Sequence, residues 1–421
     1  MRIALLNDSF PPIVDGVVNA VMNYARVLTQ HGHEVCVAVP AYPDVKDDYP
    51  YTVVRYLSLD TTKRYGYRAG FPFSPAAIKQ IEGFRPDIIH SHCPICSNFL
   101  ARTLRGSLRV PVIFTYHTKF DIDIRTAVRG HLLQNELISA LVKNVSACDE
   151  VWTVSGGAGE SLRSIGYKGD YLVMENGVDL PRGRADEAHI RQVEDMCALR
   201  PGAPVFLFTG RLRWYKGIRM IVEGLSQIMD RADFTMLFVG EGSDRAEIEQ
   251  LCRDTGLMPR CRFVGAVLDR ELLRAFYSRA DLFLFPSTFD TNGIVVREAA
   301  ACGLASLLIR GSCAAEGVTD GANALLMDES SASLAQKVLP LCSDTASMRS
   351  LGNGAQRDLY LSWDEAVTRA EERYGEVLHD FALNPRPPRH DIFPFVSESV
   401  DIINRIKNIS VKVKELLKSL D

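Results

Sequence analysis

The chain has 421 residues and a formal net charge of −4, with 47% apolar and 24% charged residues. This balance excludes a mostly disordered or fibrous chain, and the mild acidity gives no global case for nucleic-acid binding. The length predicts two or three domains, because one core normally serves ~100–200 residues.

Targeting and redox features are few. No uncharged apolar run approaches ~18 residues, so the sequence predicts no membrane-spanning helix. The first residues show a short strand pattern that meets Pro11 and Pro12, without the features of a secretory signal. Of ten scattered cysteines, only Cys93 and Cys96 form a C-x-x-C pair. We expect buried thiols in a reducing cytosol, with a redox pair as the alternative.

Strand and helix patterns alternate along the first half of the chain. A short apolar run is followed by a helical stretch with Val21, Tyr24 and Leu28 on one face, and Gly32 ends this stretch. Such strand–helix–strand units predict a parallel sheet with helices on its faces. The predicted strands are Ile3–Asn7, Glu34–Val39, Asp87–His90, Val112–Tyr116, Glu150–Val154 and Tyr171–Met174, and the predicted helix is Val17–Gln30.

The second half repeats this pattern after a boundary at 176–202, where glycine, proline and charged residues cluster. The sequence therefore predicts an α/β fold with two doubly wound parallel sheets, a cleft between the domains, and ligand sites at the carboxyl ends of the strands. The predicted strands are Val205–Thr209, Phe234–Val239, Arg262–Gly265, Leu282–Phe285 and Ala305–Ile309, and the predicted helices are Ile218–Met229, Asp244–Asp254, Arg270–Ser278 and Val295–Cys302.

The carboxyl-terminal segment 384–421 differs from the rest of the chain. A proline-rich linker precedes an amphipathic stretch in which residues 400–421 carry five Lys/Arg against three acids. Such a tail helix docks on the protein's own surface, forms a coiled coil or lies in a membrane interface, and these alternatives stay open. The apolar residues at heptad spacing are Ile402, Ile406, Ile409, Val413, Leu416 and Leu420.

Two glycine-containing loops that follow predicted strands suit a phosphate group. In residues 210–217, Arg211 and Lys216 lie between a strand and a helix, where positive charge and free N–H groups favour a diphosphate. Gly16 follows the first strand, where a glycine lets the backbone approach a phosphate. The alternatives are a solvated basic turn and a plain turn glycine, because neither loop has a Walker or dinucleotide-binding motif.

The segment 286–298 carries two acids that are eight residues apart, Asp290 and Glu298. A strand ends before Asp290, and a helix that opens near Gly293 carries Glu298. Both carboxylates are able to accept hydrogen bonds from sugar hydroxyls, while free N–H groups at 291–294 donate to other oxygens. The alternative is a helix-capping Asp with an exposed Glu.

Taken together, these segments resemble the retaining glycosyltransferases of family 4, which have the GT-B fold of two Rossmann-like domains. The resemblance runs from residue 1 to about residue 375. Asp290 replaces the usual glutamate, as in some members that glycosylate membrane lipids, and Asn292 replaces the usual aromatic residue. The matching motifs are the glycine loop 11–17, D-x-x-H-x-H at 87–92, Y-H-T at 116–118, V-S at 154–155, N-G-V-D at 176–179, G-R-x-x-x-x-K-G at 210–217, G-x-G at 240–242 and E-A-x-A-x-G at 298–303.

The resemblance implies a role for each matched residue. The cations and Gly16 hold the donor diphosphate in place of a divalent metal, so we expect no metal and no cofactor. Glu298 binds the ribose, Asp290 binds the sugar hydroxyls, and His117 lies near the reacting carbon. The implied catalytic residues are His117, Asp290, Arg211 and Lys216, and the implied donor-binding residues are Gly16, Gly240, Val264, Thr291, Asn292, Gly293 and Glu298.

For the substrates, we expect a nucleotide-sugar donor, UDP-glucose by family preference, and a membrane lipid such as diacylglycerol as acceptor. Aromatic and basic residues interleave in 49–73, and Arg64, Tyr65, Arg102 and Arg105 are the expected contacts with the acceptor or an anionic membrane. The alternative is an aromatic loop that lines the site of a soluble or polysaccharide acceptor. From another class, a sugar-nucleotide isomerase or an inactive binding subunit remains open.

The predicted domains are an acceptor domain at 1–180, a donor domain at 181–360, a helix at 361–383 that crosses back to the first domain, and the linker and tail helix at 384–421. We expect a cytoplasmic protein, peripheral on the inner face of the cell membrane, with no nucleic-acid partner. The sequence leaves its oligomeric state open.

Overall fold

The computed structural model describes residues 1–13, 15–62, 67–128 and 130–384. This part of the chain forms two compact units. The predicted tail helix, most of the proline-rich linker, Arg64 and Tyr65 lie outside the described residues. The first unit contains Met1–Thr115, Ser139–Val151 and the described residues from Arg373 on, and the second contains Tyr116–Ile138 and Trp152–Glu372.

A seven-stranded sheet contains most of the strands of the first half of the chain. Its strands are β1 (Arg2–Leu6), β2 (Glu34–Pro40), β3 (Thr52–Tyr56), β6 (Ile88–Ser91), β7 (Val112–Tyr116), β8 (Glu150–Thr153) and β9 (Leu172–Val173). Their order is β3-β2-β1-β6-β7-β8-β9, and β1 pairs in parallel with both β2 and β6. The strand order reverses at the β1/β6 pair, as in doubly wound sheets.

A short antiparallel ribbon lies outside this sheet. It pairs β4 (Ser58–Leu59) with β5 (Ala69–Gly70). The Tyr56 ring fits against Gly70, where a Cβ would lie 2.4 Å from Tyr56 Cε2. The Tyr56 hydroxyl reaches the Asn7 carbonyl at 2.9 Å, so the ribbon is tied to the carboxyl end of β1.

A six-stranded parallel sheet forms the core of the second unit. Its strands are β10 (Val205–Thr209), β11 (Thr235–Val239), β12 (Cys261–Gly265), β13 (Leu282–Phe285), β14 (Ser306–Ile309) and β15 (Leu325–Met327). The order is β12-β11-β10-β13-β14-β15, so it reverses between β10 and β13. Both central strands are fully buried, as expected for apolar strands covered on both faces.

Helices connect the strands of both sheets. They are α1 (Gly16–Gln30), α2 (Pro75–Phe84), α3 (Cys96–Leu108), α4 (Phe120–Ala127), α5 (His131–Ser146), α6 (Gly156–Ser164), α7 (Glu187–Cys197), α8 (Ile218–Ser226), α9 (Arg245–Asp254), α10 (Arg270–Arg279), α11 (Ile294–Ala301), α12 (Ser331–Leu341), α13 (Thr345–Asp358) and α14 (Trp363–Leu383). Short 3₁₀ turns lie at Trp214–Lys216, Met258–Arg260 and Cys313–Ala315.

The α/β prediction with two doubly wound parallel sheets is confirmed. The predicted strands Val112–Tyr116, Val205–Thr209 and Leu282–Phe285 have the observed bounds. The helix predicted from Ile218 ends at Ser226 instead of Met229, because the chain then turns with a hydrogen bond from Ile228 N to Leu225 O. The predicted domain boundaries stay a prediction.

Candidate functional site

The candidate donor site lies where the strand order of the second sheet reverses. Loop 210–217 follows β10 and loop 286–293 follows β13, and these strands are parallel neighbours. Both loops therefore leave the same edge of the sheet, the usual ligand edge of a doubly wound fold. The topology brings Lys216 next to Asp290, although 74 residues separate them in sequence.

Lys216 and Asp290 form an ion pair with an Nζ–Oδ1 distance of 2.5 Å. The other carboxylate oxygen of Asp290 accepts a hydrogen bond of 2.6 Å from Ser287 Oγ. The two side chains are 12% and 22% exposed, so the pair is shielded but reachable from solvent. Next to it the rings of Tyr215 and Phe289 are in contact, with centroids 4.6 Å apart. The ion pair and the ring pair together hold the two loops side by side.

Two glycines permit the close approach of these loops. Gly217 has φ +76°, and a Cβ there would lie 1.9 Å from the Pro286 carbonyl oxygen. Gly240, which follows β11, has φ +136°, and its Cβ would lie 2.0 Å from the Gly210 carbonyl oxygen. A side chain at either position is excluded by the neighbouring backbone. The predicted donor residue Gly240 thus shapes the strand ends beside loop 210–217.

Arg211 lies exposed on loop 210–217. Within the described ranges, its guanidinium makes no hydrogen bond or ion pair. The neighbouring Trp214, by contrast, is fixed, since its backbone N–H donates to Asp244 and its indole N–H to Glu247, at 2.9 and 2.8 Å. The loop is therefore anchored while the Arg211 charge remains available to a ligand.

Glu298 is buried on α11 and held by two donors. Tyr277 Oη donates to its Oε2 at 2.9 Å, and Arg270 donates to its Oε1 at 3.0 Å. Burial raises the pKa of the Glu298 carboxyl, against the lowering effect of Arg270. Tyr277 also bonds to Thr209 Oγ1 at 2.6 Å, which ties Glu298 to the carboxyl end of β10. Each carboxylate oxygen keeps a lone pair for a ligand hydroxyl.

The backbone after Asp290 presents unpaired donors. The N–H groups of Thr291 and Asn292 have no hydrogen-bond acceptor within the residues that the structure describes. Within the same residues, the buried side-chain Nδ2 of Asn292 has no acceptor and its Oδ1 has no donor. Gly293 has φ +58° and begins α11, and a Cβ there would lie 2.8 Å from Ala314 Cβ. Loop 291–293 is thus packed tightly while its amides stay unsatisfied.

His117 belongs to the same compact unit as these loops. Thr291, the residue after Asp290, donates from its Oγ1 to the His117 carbonyl at 2.7 Å. This hydrogen bond fixes the backbone of His117 to the loop that carries Asp290. Burial lowers the pKa of the imidazole to about 3, so the ring is neutral at physiological pH. Val264 is half-buried in β12, the edge strand that pairs with β11.

Gly16 belongs to the first unit and is the first residue of α1. The preceding Asp15 caps this helix, because its Oδ1 accepts hydrogen bonds from Val17 N and Val18 N at 2.9 and 2.8 Å. A Cβ on Gly16 would meet no atom within 4 Å. Its role in diphosphate binding stays a prediction.

The residues predicted to face the acceptor or a membrane have different surroundings. Arg105 is buried, and its guanidinium makes two hydrogen bonds to the Asp149 carboxylate, at 2.7 and 2.8 Å. Arg102 donates to Asn144 at 3.0 Å and is half-buried. Arg105 is thus committed to holding α3 against Asp149 within the first unit.

Sequence reasoning missed a half-buried acid at the carboxyl edge of the first sheet. Asp8 follows β1 and accepts hydrogen bonds from the N–H groups of Ser97 and Cys96, at 2.6 and 2.9 Å. Burial raises the pKa of its carboxyl. Cys93 and Cys96 are both free thiols, and Cys96 is half-buried rather than buried. The sequence shows an acid directly after the first strand, but no sequence pattern indicates which residues Asp8 binds.

In the described part of the chain, no helix has the length and apolar character needed to cross a membrane. Within the same residues, no group of three or more His, Cys, Asp or Glu side chains is arranged to hold a metal ion. The expectation of a metal-free reaction stays a prediction.

Comparison with known proteins adds to this geometry. The profile of Glycosyltransferase Family 4 matches residues 14–182, and that of Glycosyl transferases group 1 matches residues 203–344. An alpha-monoglucosyldiacylglycerol synthase of Streptococcus pneumoniae is 24% identical over 312 residues, which cover 72% of this chain and 70% of that protein. A GDP-mannose-dependent alpha-mannosyltransferase of Corynebacterium glutamicum is 27% identical over 403 residues, or 92% and 91% of the two chains. The crystal structure of Anabaena Alr3699/HepE in complex with UDP superposes with a TM-score of 0.71 at 17% identity, covering 89% of this chain and all of that one.

Proposed function

Because the chain belongs to the family 4 retaining glycosyltransferases and has the GT-B fold, we propose that it transfers a hexose from a nucleoside-diphosphate sugar to a lipid hydroxyl. UDP-glucose is the proposed donor and a diacylglycerol the proposed acceptor. The observation that carries the donor half is the Lys216–Asp290 pair at the reversal point of the second sheet.

In this proposal, Lys216 binds the diphosphate of the donor, and its ion-pair partner Asp290 binds the sugar. An ammonium group has three N–H donors, so Lys216 keeps two for phosphate oxygens after its bond to Asp290. Arg211 adds a second cation without a competing partner in the described chain. Asp290 keeps lone pairs for sugar hydroxyls, and the unpaired N–H groups of Thr291 and Asn292 are further donors. Glu298, which Tyr277 and Arg270 hold in place, is the proposed acceptor of hydrogen bonds from the ribose hydroxyls.

In the proposed reaction, the bond between the anomeric carbon and the diphosphate breaks while the acceptor oxygen bonds to that carbon from the same face. The acceptor proton passes to a phosphate oxygen of the departing nucleotide, and configuration is retained. Arg211 and Lys216 stabilise the charge that develops on the diphosphate, so no metal is required. The neutral His117 ring is a hydrogen-bond partner for the sugar, since its lowered pKa of about 3 keeps it from acting as an acid at neutral pH.

The lipid half of the proposal draws on the ribbon of β4 and β5. Leu57 and Leu59 alternate with the buried Ser58, so they share one face, and they are 59% and 66% exposed. Phe71, whose N–H bonds to the Leu57 carbonyl at 2.7 Å, is 44% exposed. Such exposed apolar side chains on a fixed scaffold suit hydrocarbon. The similar protein from Streptococcus pneumoniae is named as a monoglucosyldiacylglycerol synthase, which supports a diacylglycerol as acceptor.

The experiment that tests the proposal is a donor and acceptor panel. Purified protein is incubated with UDP- and GDP-hexoses, with and without dioleoylglycerol in mixed micelles, and nucleotide release and lipid mass are measured. We expect lipid-dependent release of UDP from UDP-glucose and a lipid heavier by one hexose. Release without a lipid product refutes the lipid acceptor, and no release from any donor refutes the transferase proposal.

A vesicle assay tests the ribbon separately. We expect the full chain to co-sediment with phosphatidylglycerol-containing vesicles, and the double variant Leu59→Ser, Phe71→Ser to bind them several-fold less. Leu268→Ser is the matched control, because Leu268 is 90% exposed and lies in the second unit. Equal binding by the double variant and the control would remove the ribbon from the proposal.

A further inference from the structure

A chain of hydrogen bonds in the second unit links four segments that no sequence motif connects. The Glu316 carboxylate accepts from the N–H groups of Gly156 and Gly157, at 2.7 and 2.5 Å. Ser155 Oγ donates to the Thr291 carbonyl at 2.5 Å. Thr291 Oγ1 donates in turn to the His117 carbonyl at 2.7 Å. All six residues belong to the same compact unit.

The amino-terminal end of α6 explains why Glu316 is bound. The first N–H groups of a helix lack intrahelical acceptors and carry partial positive charge. Ser155 caps this end by accepting from Ala158 N at 3.0 Å, which leaves the N–H groups of Gly156 and Gly157 to another acceptor. Glu316 supplies both oxygens to them. A carboxylate in this position is stabilised by the helix dipole as well as by two charge-assisted bonds.

Gly157 lets the Glu316 segment approach. A Cβ there would lie 2.4 Å from Cys313 Sγ and 3.0 Å from Glu316 Oε1. The 3₁₀ turn Cys313–Ala315 precedes Glu316, and Ala314 packs against the position of a Cβ on Gly293 at 2.8 Å. The segment around Glu316 therefore contacts the start of α6 and the end of loop 291–293 at the same time.

We propose that Glu316 and Ser155 are positioning residues for the transfer reaction, an inference that rests on the proposed function. They hold the start of α6 against Thr291, and Thr291 holds the backbone of His117. The spacing between His117 and the Lys216–Asp290 pair is thereby fixed before substrate binds. Both oxygens of Thr291 are engaged in these bonds, while its N–H and that of Asn292 have no acceptor in the described residues.

The role assigns a specific kinetic signature to Glu316→Gln. The amide has no charge and offers a single acceptor oxygen, so one of the two N–H bonds is lost. Arg211, Lys216 and Glu298 are untouched, and we expect the donor KM to stay within about twofold. Misplacement of His117 and loop 291–293 lowers kcat, by about tenfold, because small displacements of reacting groups are costly. Glu329→Gln, an exposed glutamate of the same unit, is the matched control with wild-type kinetics.

The closing experiment joins kinetics to amide hydrogen exchange. UDP-glucose and dioleoylglycerol micelles are the substrates, and exchange is measured on the ligand-free full chain. We expect Glu316→Gln to lower kcat and to speed exchange both at 156–158 and at Val296, whose N–H donates to the Gly293 carbonyl at 2.8 Å and so reports on the end of loop 291–293. Ser155→Ala breaks the same chain of bonds from its other side and serves if Glu316→Gln does not fold. We expect it to reproduce both effects.

Two results overturn the inference. One is a kcat for Glu316→Gln and Ser155→Ala within twofold of the wild type. The other is faster exchange confined to 156–158, which would leave Glu316 with a merely local structural role. If the wild-type protein releases nucleotide from no donor, the proposed function fails, and the exchange of the Val296 amide alone then decides whether the bond chain positions loop 291–293.

Discussion

Replacement of Lys216 by methionine separates the structural and chemical parts of the Lys216–Asp290 pair. Methionine has a similar length and no charge, so Asp290 loses its partner while Ser287 Oγ remains at 2.6 Å. Breaking a buried ion pair costs about 3–5 kcal/mol, whereas exposed pairs contribute about 0.2–1 kcal/mol. With exposures of 12% and 22%, this pair lies between these limits, and we expect a loss of about 2 kcal/mol in the free energy of unfolding.

The double variant Lys216→Met, Asp290→Asn removes both charges and leaves no unpaired carboxylate. We expect it to regain most of the lost stability, because the uncompensated charge is the main cost. Turnover behaves differently, since Lys216 is proposed to stabilise charge on the departing diphosphate. Losing such a donor lowers kcat by about 10²-fold, and the double variant does not recover it.

The assay measures urea unfolding by circular dichroism and UDP release from UDP-glucose for the wild type, both single variants and the double variant. Arg219→Met is a matched control, because Arg219 forms an exposed ion pair with Glu223 on α8. Recovery of both stability and turnover in the double variant would show that the pair only fastens the two loops, and would refute the diphosphate role of Lys216.

Three further changes give separate tests. The imidazole of His117 has a pKa of about 3 in the folded protein and 6.5 in the unfolded chain. Between these two pH values only the unfolded chain binds the proton, so the free energy of unfolding decreases as the pH is lowered. From pH 7 to 5 the loss is about 2 kcal/mol, and His117→Asn abolishes it; equal urea midpoint shifts in both proteins would contradict this. Tyr277→Phe removes a donor from the buried Glu298 and costs about 1–2 kcal/mol, with weaker UDP binding by calorimetry; unchanged values would detach Tyr277 from the site. Gly240→Ala forces a Cβ to 2.0 Å from Gly210 O and costs at least about 1–3 kcal/mol, and a wild-type melting temperature would show that the strand ends adapt freely.

Sequence patterns predicted five of the six strands of the second sheet and missed Leu325–Met327, and the central strands were clear because they are buried on both faces. Runs such as Val205–Thr209 and Leu282–Phe285 are continuous apolar segments, and the flanking loops carry glycine and proline. The same approach missed β3, because Thr52–Tyr56 lies in a stretch whose aromatic and basic residues suggested a surface. There Arg55 reaches Asp47 at 2.8 Å, and Tyr56 is fully buried beneath the ribbon.

The candidate site was only half visible in the sequence. Asp290, Arg211 and Lys216 stood out because they follow predicted strands, at the edge where doubly wound sheets bind ligands, and Glu298 because it lies eight residues after Asp290. The partners of Glu298 did not stand out, because Tyr277 and Arg270 lie on a helix with an ordinary amphipathic pattern. Arg105 likewise resembled a surface cation in the sequence, and only the structure shows its bond to Asp149. The hydrogen-bond or ion-pair partner of a side chain depends on the fold, so no local sequence pattern predicts it.

The sequence by itself determined the α/β class, the alternation of elements and the residue types available for a nucleotide sugar. These follow from local periodicity and from turn chemistry, which act over a few residues. Only the tertiary structure decided which loops are neighbours. That choice depends on strand order, which arises from the packing of helices on both sheet faces. It places β13 rather than β11 or β12 at the second edge of β10, and so brings Asp290 to Lys216.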